Sequence, residues 1–479
     1  MNKDYSIICS EPEVLRIEPI LLSSRIDCTP FRLDYIKREE KLKDSGLELH
    51  PIGSLLRSRV DLTGGATPLG AKYLMNGIRF IRTQDVDFNW INTDNCVFIS
   101  ELDNKKLKRS QLEIGDILLT ITGVNFGKSA VVRDTILPAN ISQHSVRIHF
   151  KDILDPYFIS TYLNSSYGQC QVFKNTVGVT RPAIDYEGIK SILIPNPLPE
   201  IQKYIGDKVR KVENLRNTAI QLFKEAESLI NVALGLKWWE DKFSKKISNV
   251  RNINTSNIDN RIDAQFYISP YYELLNYAKE EQIPLIQLGK ISRIGSGFPN
   301  SLDHGTIPYI RISDLDGIHI NYEKVIKVTE EVFASKKQTH LNQNDLVVAI
   351  TGATIGKTAI FMNNKIKKAT LSSDTAFIRF KNIEDAFVYL LFFQTEIGQF
   401  GLKRGETGIT NKHLATDYLK KLEIPKIKAK NTKEISTKII SATNCILESN
   451  ELIISAKKDV EDLIEGNFLM KEEYKNLND

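Results

Sequence analysis

Two lysines, Lys128 and Lys357, sit in a repeated frame that could hold phosphate. Residues 115–132 read Gly-Asp-Ile-Leu-Leu-Thr-Ile-Thr-Gly-Val-Asn-Phe-Gly-Lys-Ser-Ala-Val-Val, and residues 344–361 read Asn-Asp-Leu-Val-Val-Ala-Ile-Thr-Gly-Ala-Thr-Ile-Gly-Lys-Thr-Ala-Ile-Phe. A nucleotide-binding P-loop needs four residues between its first Gly and the Gly-Lys-Ser/Thr, then a helix whose N-terminus faces the phosphate. Here three residues intervene, and the β-branched and aromatic material that follows belongs to a strand. The frame therefore predicts strand, Gly-bounded turn, strand. Both lysines become exposed loop-tip cations, either solvated hairpin charges or contacts to a partner's phosphate.

Catalytic chemistry finds no support elsewhere. The seven histidines, His50, His144, His149, His304, His319, His340 and His413, show no His-Glu-x-x-His or comparable metal spacing. No Gly-x-Gly-x-x-Gly follows a strand. The Asn-Pro at 196–197 continues into Leu-Pro rather than the aromatic end that an amino-methyltransferase motif needs. The site expectation is thus no catalytic residue and no metal ligand. Five widely spaced cysteines, Cys9, Cys28, Cys96, Cys170 and Cys445, argue for a reducing compartment and against structural zinc.

Comparing the copies says more. Apolar and glycine positions agree, whereas the polar tips differ: Thr83-Gln84 against Ile312-Ser313, Asn125 against Thr354, Gln143-His144 against Ser373-Asp374, Arg181 against Asn411-Lys412. Two enzyme half-sites should keep their polar residues; two readers of different sequences should keep the scaffold and vary its tips. The varied residues are of the types that pair with base edges and phosphates. The candidate DNA-binding set is Arg82, Thr83, Gln84, Asp85, Thr122, Asn125, Lys128, Gln143, His144, Thr180 and Arg181 in the first copy. In the second it is Arg311, Ser313, Asp314, Thr351, Thr354, Lys357, Ser373, Asp374, Thr410, Asn411 and Lys412. Lys128 and Lys357 are read as phosphate contacts. Arg82, Asp85, Arg311 and Asp314 read base edges or form internal Arg–Asp salt bridges.

The elements that must position these residues repeat at an offset of about 230. Arg25-Ile26-Asp27 and Arg261-Ile262-Asp263 open the copies. Gly65-Ala66-Thr67-Pro68 answers Gly295-Ser296-Gly297-Phe298-Pro299, and Phe80-Ile81-Arg82 answers Tyr309-Ile310-Arg311. One helix is predicted over 156–170 and one over 385–400, with Gly168-Gln169 against Gly398-Gln399. Ile194-Pro195 and Ile424-Pro425 close the strand-rich parts.

Long helices follow. From Ile201, steps of four and three reach Ile205, Lys208, Val212, Leu215, Ala219, Leu222, Ala226, Leu229 and Ala233. From Ile435 they reach Ile439, Ala442, Ile446, Ser449, Ile453, Ala456, Val460 and Leu463. A 3.5-residue period sustained this long predicts a coiled-coil seam, with each rod about 50 Å long. Two matching seams most simply pair with each other. The boundaries expected are a lead-in 1–24, a first unit 25–198, a helix 199–235, a polar Asn-rich linker 236–260 with Trp238-Trp239 near its front, a second unit 261–428, a helix 429–466 and a tail 467–479.

Sixty-four basic against 59 acidic residues give a formal charge of +5, which permits a polyanionic partner without requiring one. No apolar run is long enough for a membrane span. The expectation is a soluble, cytoplasmic protein.

The doubled order of Arg-Ile-Asp opening, Gly/Thr/Pro turn, Ile-Arg-x-x-Asp, Thr-Gly-x-x-x-Gly-Lys hairpin and terminal long helix resembles the DNA-specificity subunit of type I restriction-modification enzymes, over about residues 25–466. The resemblance implies an α+β chain of two tandem mixed α/β target recognition domains, each followed by a long helix, the two helices forming an antiparallel coiled coil. It implies double-stranded DNA as target, two modification (methyltransferase) subunits and restriction (translocase/endonuclease) subunits as partners, and no cofactor in this chain. S-adenosylmethionine, ATP and Mg are then expected on the partner subunits. Other readings are the recognition part of a self-contained restriction-methylation enzyme and a protein-binding coiled-coil scaffold.

Overall fold

The apolar runs flanking each Gly-Lys turn are buried on both faces, and their alternation explains where each residue goes. Ile117 and Leu119 join a core built with helices, while Leu118 between them joins a second core built with another sheet. In the second copy Leu346 and Val348 face helices, and Val347 and Ala349 face the other sheet. Side chains alternate along a strand, so a sheet covered on both sides reads as one continuous hydrophobic run.

The computed structural model describes residues 28–234, 258, 261 and 263–470, apart from residues 69, 71, 95, 124, 152–153, 179–181, 301–303, 323–324, 364 and 409. The lead-in, the Arg25-Ile26-Asp27 opening, Thr180, Arg181 and the Trp238-Trp239 pair lie outside the described residues. Two compact units make up the chain, residues 1–214 with 448–479 and residues 215–447.

In the first unit, strands β1 (Leu62–Gly64), β2 (Ile78–Ile81), β3 (Val97–Ile99), β4 (Ile117–Thr120), β5 (Ser129–Val131), β6 (Ala139–Ile141) and β7 (Ser145–Ile148) form two sheets. One is antiparallel, in the order β1-β7-β4-β5. The other sets β2 between antiparallel β3 and parallel β6. Helices α1 (Pro156–Asn164) and α2 (Ser166–Lys174) cover the first sheet, and α3 (Pro199–Ala233) follows.

The second unit repeats this arrangement. Strands β8 (Ser292–Ser296), β9 (Ile307–Ile310), β10 (Lys327–Val328), β11 (Asp345–Ala349), β12 (Thr358–Phe361), β13 (Thr370–Leu371) and β14 (Thr375–Phe380) give an antiparallel sheet β8-β14-β11-β12. Strand β9 lies between antiparallel β10 and parallel β13. Helices α4 (Ile383–Gln394), α5 (Glu396–Arg404) and α6 (Ala429–Ile464) complete it. Strand-closing Leu193–Asn196 and Glu423–Pro425 pair with Glu48–Pro51 and Leu285–Gln287.

The single helix expected after each hairpin is instead two. Ser165 and Thr395 stop one helix and cap the next, accepting from the backbone N–H of Gly168 and Gly398 through their hydroxyls. A Cβ on Gly168 would lie 2.1 Å from Tyr162 O, and one on Gly398 2.0 Å from Phe392 O, so only glycine lets the chain turn this corner.

The long helices pair antiparallel. In the first unit Lys208 bonds the Asp459 carboxylate and Ser455 Oγ (2.9 Å), and Lys211 meets Glu448 at 2.6 Å. In the second unit Lys438 meets Glu225 at 2.6 Å. Along α3, Ile205, Val212, Ala219 and Ala226 are buried at seven-residue intervals, as are Ile435, Ala442, Ser449 and Ala456 along α6. The apolar stripe is wider than the seam predicted. Val209 and Ile230 are buried off it, because the helices also pack on the strand-rich cores. Among the described residues no helix is long and apolar enough to cross a membrane.

Candidate nucleic-acid interface

The β4–β5 hairpin turn is built by glycines whose positive φ values, 91° at Gly123 and 81° at Gly127, suit no β-branched residue; Gly352 and Gly356 do the same at 74° and 90°. The turn is then clamped from behind. Gln169 Nε2 donates to Gly127 O at 2.7 Å, and Gln399 Nε2 donates to Gly356 O at 2.8 Å. A conserved bond pattern of this kind between the copies explains the Gly-Gln landmark on α2 and α5.

Next to each hairpin lies a loop end bearing the residues that differ. In the first unit Thr122 Oγ1 is 2.8 Å from His144 Nδ1, and Thr67 is hydrogen-bonded to Gln143. In the second unit Thr351 Oγ1 donates to Asp374 Oδ1 at 2.8 Å. The same hydroxyl thus steadies a different polar group in each copy. Gly65 and Gly297 bring their turns against this loop, where a Cβ would sit 2.2 Å from Ile141 O or 2.1 Å from Leu371 O.

The 410–412 loop joins through Gly352 N, which donates to Lys412 O at 3.0 Å, and through a bridge between Thr351 and His413. An open cleft of about 510 Å³ lies in the second unit, lined by Pro299, Asn300, Tyr309, Arg311, Ser313, Ser373 and Asp374 among others. Gln84, Gln143, His144, Ser313, Asp374, Thr410 and Asn411 are all exposed.

Several expected contacts are placed otherwise. Asp85 and Asp314 are each 4% exposed and accept the backbone N–H of Arg82 and Arg311 at 2.8 Å, with the guanidinium Nε groups at 3.4 and 3.5 Å. These carboxylates cap a 3-10 turn and are withdrawn from any base edge, so of the two readings left open the internal bridge is the one observed. Burial raises the Asp85 pKa, and the bonds from Arg82 pull against it. Asn125 spends its amide on Thr83 O (2.9 Å) and Val86 O (3.3 Å), so it holds the neighbouring turn.

Lys128 is not an exposed loop-tip cation. Its ammonium meets Asp87 Oδ1 at 2.8 Å and its side chain is 22% exposed. Lys357 lines a second depression with Thr354, one that shares no lining residue with the cleft. Lys412 is paired with Glu406 at 2.7 Å.

The sequence reading missed Thr67, Asn300 and Tyr309, although the repeated Gly/Pro turn marked their neighbourhood. It also passed over the aspartates that open the hairpin frames. Asp116, fully buried, accepts from Glu113 N at 2.8 Å and meets His149 at 2.7 Å and Arg147 at 3.3 Å; Asp345 holds Arg379 at 2.7 Å. These are internal clamps. Among the described residues no group of three or more His, Cys, Asp or Glu is placed to hold a metal ion.

The family model described as type I restriction modification DNA specificity domain matches residues 61–227 and again 281–455. The chain is 26% identical over 187 residues to the type I restriction enzyme MjaVIII specificity subunit of Methanocaldococcus jannaschii, a match covering 37% of this chain and 44% of that protein. It is 30% identical over 158 residues to the type I restriction enzyme EcoBI specificity subunit of Escherichia coli, covering 33% of this chain and 31% of that one. Both matches therefore span less than half the length of those relatives. Among solved structures, the S subunit of a type I restriction-modification system from M. genitalium is similar at 12% identity with a TM-score of 0.42, covering 89% of this chain and 97% of that chain.

Proposed function

The chain belongs to the family of type I restriction-modification DNA specificity domains, matched once in each half, and from that premise we propose that it is the non-catalytic specificity subunit of a type I restriction-modification complex. Each unit reads its own few base pairs of a bipartite, asymmetric target in double-stranded DNA. The half-sites of that target would lie about one helical turn apart on one face of the duplex. The chain docks two modification subunits and, with them, restriction subunits, and it acts in the cytoplasm. S-adenosylmethionine, ATP and Mg would belong to those partners.

The observation that carries this reading is the loop end described above, where one scaffold presents different polar groups. Hydroxyls of Thr122 and Thr351 brace His144 in one unit and Asp374 in the other. On this reading Gln84, Gln143, His144, Thr83, Thr180 and Arg181 discriminate in the first unit. Ser313, Ser373, Asp374, Thr410 and Asn411 do so in the second. The expected boundaries, with recognition domains at 25–198 and 261–428, belong to the same proposal.

Sequencing methylated DNA from cells that carry the chain with its modification partner tests it. Residues 261–425 are then exchanged for the equivalent stretch of another specificity subunit. One half of the methylated motif should change while the other half and the spacing stay. A motif that changes in both halves, or a palindromic motif in the parent, is incompatible with two independent readers.

A further inference from the structure

The Gly-Lys hairpin has aromatic residues at three neighbouring positions in one unit and none of them in the other. In the first unit Asp87 pairs with Lys128 at 2.8 Å, and the ring of Phe88 has Lys128 Nζ at 5.3 Å and Lys457 Nζ at 4.8 Å. Phe126 and Phe173 meet edge to face, centroids 5.3 Å apart. By the repeat, Phe88, Phe126 and Phe173 correspond to Gly317, Ile355 and Lys403. The second unit lacks these three rings, and it has a depression of about 360 Å³ lined by Gly317, Ile355, Lys357, Gln394, Gln399 and Lys403, among others. A cavity of about 150 Å³ already accepts a benzene ring.

Charge is left over in the same place. Asp316, the counterpart of Asp87, points to His319 with Nε2 at 3.7 Å. Among the described residues neither Lys357 nor Lys403 has a carboxylate within ion-pair distance. An apolar slot with two unneutralised ammonium groups suits an aromatic ring that arrives with a negative charge.

We propose that this slot receives an acidic residue followed by an aromatic one, presented by the modification subunit, in the way Asp87-Phe88 fills the first unit. The proposal rests on the functional reading above and adds where that partner is gripped. A nucleotide is also aromatic and anionic, but both glutamine amides of the slot are committed to main chain. Gln394 Nε2 donates to Gly317 O at 2.8 Å and Gln399 Nε2 to Gly356 O at 2.8 Å, and besides the two lysines the remaining lining is Ala353, Thr354, Ile355 and Thr358. The first unit carries Phe88 where the second has Gly317, so the two modification subunits dock through non-equivalent contacts.

The test uses the full chain assembled with its modification subunit. p-Benzoylphenylalanine replaces Ala353, an exposed residue on the rim of the slot, and light-induced adducts are mapped by mass spectrometry. The expected adduct lies on an aromatic residue of the modification subunit that follows Asp or Glu. Ile355→Phe with Lys403→Phe, which restores the first unit's ring pair, should abolish the adduct and weaken assembly at least tenfold. Lys357→Ala with Lys403→Ala should weaken assembly in the same direction. Adducts on DNA, adducts within this chain, no adduct, or assembly unchanged with the slot filled each overturn the proposal. A wild-type chain that binds no modification subunit overturns the functional reading itself.

Discussion

Exchanging His144 and Asp374 isolates specificity from stability. Thr122 Oγ1 lies 2.8 Å from His144 Nδ1 and Thr351 Oγ1 donates to Asp374 Oδ1 at 2.8 Å, so an aspartate at 144 or a histidine at 374 finds the same hydroxyl waiting. Both positions are exposed, and substitutions of that kind typically change stability by no more than about 0.5 kcal/mol. Recognition should respond far more. A carboxylate only accepts hydrogen bonds, as from the amino group of cytosine, whereas an imidazole also donates. One well-made base contact is worth about 1–3 kcal/mol, or about 5- to 150-fold in preference at one base pair. His144→Asp and Asp374→His would be assayed separately by thermal denaturation, by methylation-motif sequencing, and by competition binding against all four bases at each position at fixed salt. Each variant should unfold near the wild-type temperature and relax or change one position in one half-site. If both leave the motif intact and every competitor within twofold, the loop end at 143–144 and 373–374 does not read bases.

Gly398→Ala should cost at least about 1–3 kcal/mol, because the added Cβ meets the Phe392 carbonyl oxygen at 2.0 Å and the backbone must shift; an unchanged urea midpoint would contradict the helix-corner geometry. Lys208→Met leaves Asp459, a largely buried carboxylate, without its lysine and should lose about 1–3 kcal/mol, whereas adding Asp459→Leu should recover most of it. Denaturation of both variants checks this, and a double variant no better than the single one would remove the pair from the seam's stability. Glu213 is pushed up to about 7 by burial, which outweighs the Arg133 charge and the Tyr157 hydroxyl. A raised carboxyl means the folded chain holds a proton that the unfolded chain has released. Its contribution is therefore complete below about pH 4.5 and lost as pH rises through 7. Glu213→Gln should flatten that part of the stability profile between pH 5 and 8, measured by urea unfolding.

How far the sequence could be read depended on whether the deciding partner was local. The hairpins were legible because β-branched runs either side of Gly turns allow little else, and the long helices because a 3.5-residue period is visible from Ile201 to Ala233 and from Ile435 to Leu463. The break at Ser165 and Thr395 was not, since Ser and Thr sit in helices at little cost and become caps only where the chain turns a corner. Arg82-x-x-Asp85 has the spacing of an ion pair and equally of a cap on a 3-10 turn. Burial of Asp85 to 4% exposure decided it, and burial is a tertiary fact. Lys128 looked like a free loop cation because its partner, Asp87, stands 41 residues away in the chain. The varied tips, Gln143-His144 and Ser373-Asp374, were identified by comparing the copies, which required no knowledge of their surroundings.

The bonds that hold the loop ends explain why those tips can vary. Gln169 and Gln399 clamp the hairpins through the carbonyls of Gly127 and Gly356, and Asp85 and Asp314 cap through the N–H groups of Arg82 and Arg311. Gly65 and Gly297 make room against the carbonyls of Ile141 and Leu371. In every case the far partner is main chain, which is the same whatever side chain follows it. A substitution at 143, 144, 373 or 374 therefore breaks no scaffold bond except those to the hydroxyls of Thr67, Thr122 or Thr351, and a hydroxyl can donate or accept. Two copies fixed by backbone-directed bonds can diverge at their tips without refolding, which is the property a pair of independent sequence readers needs.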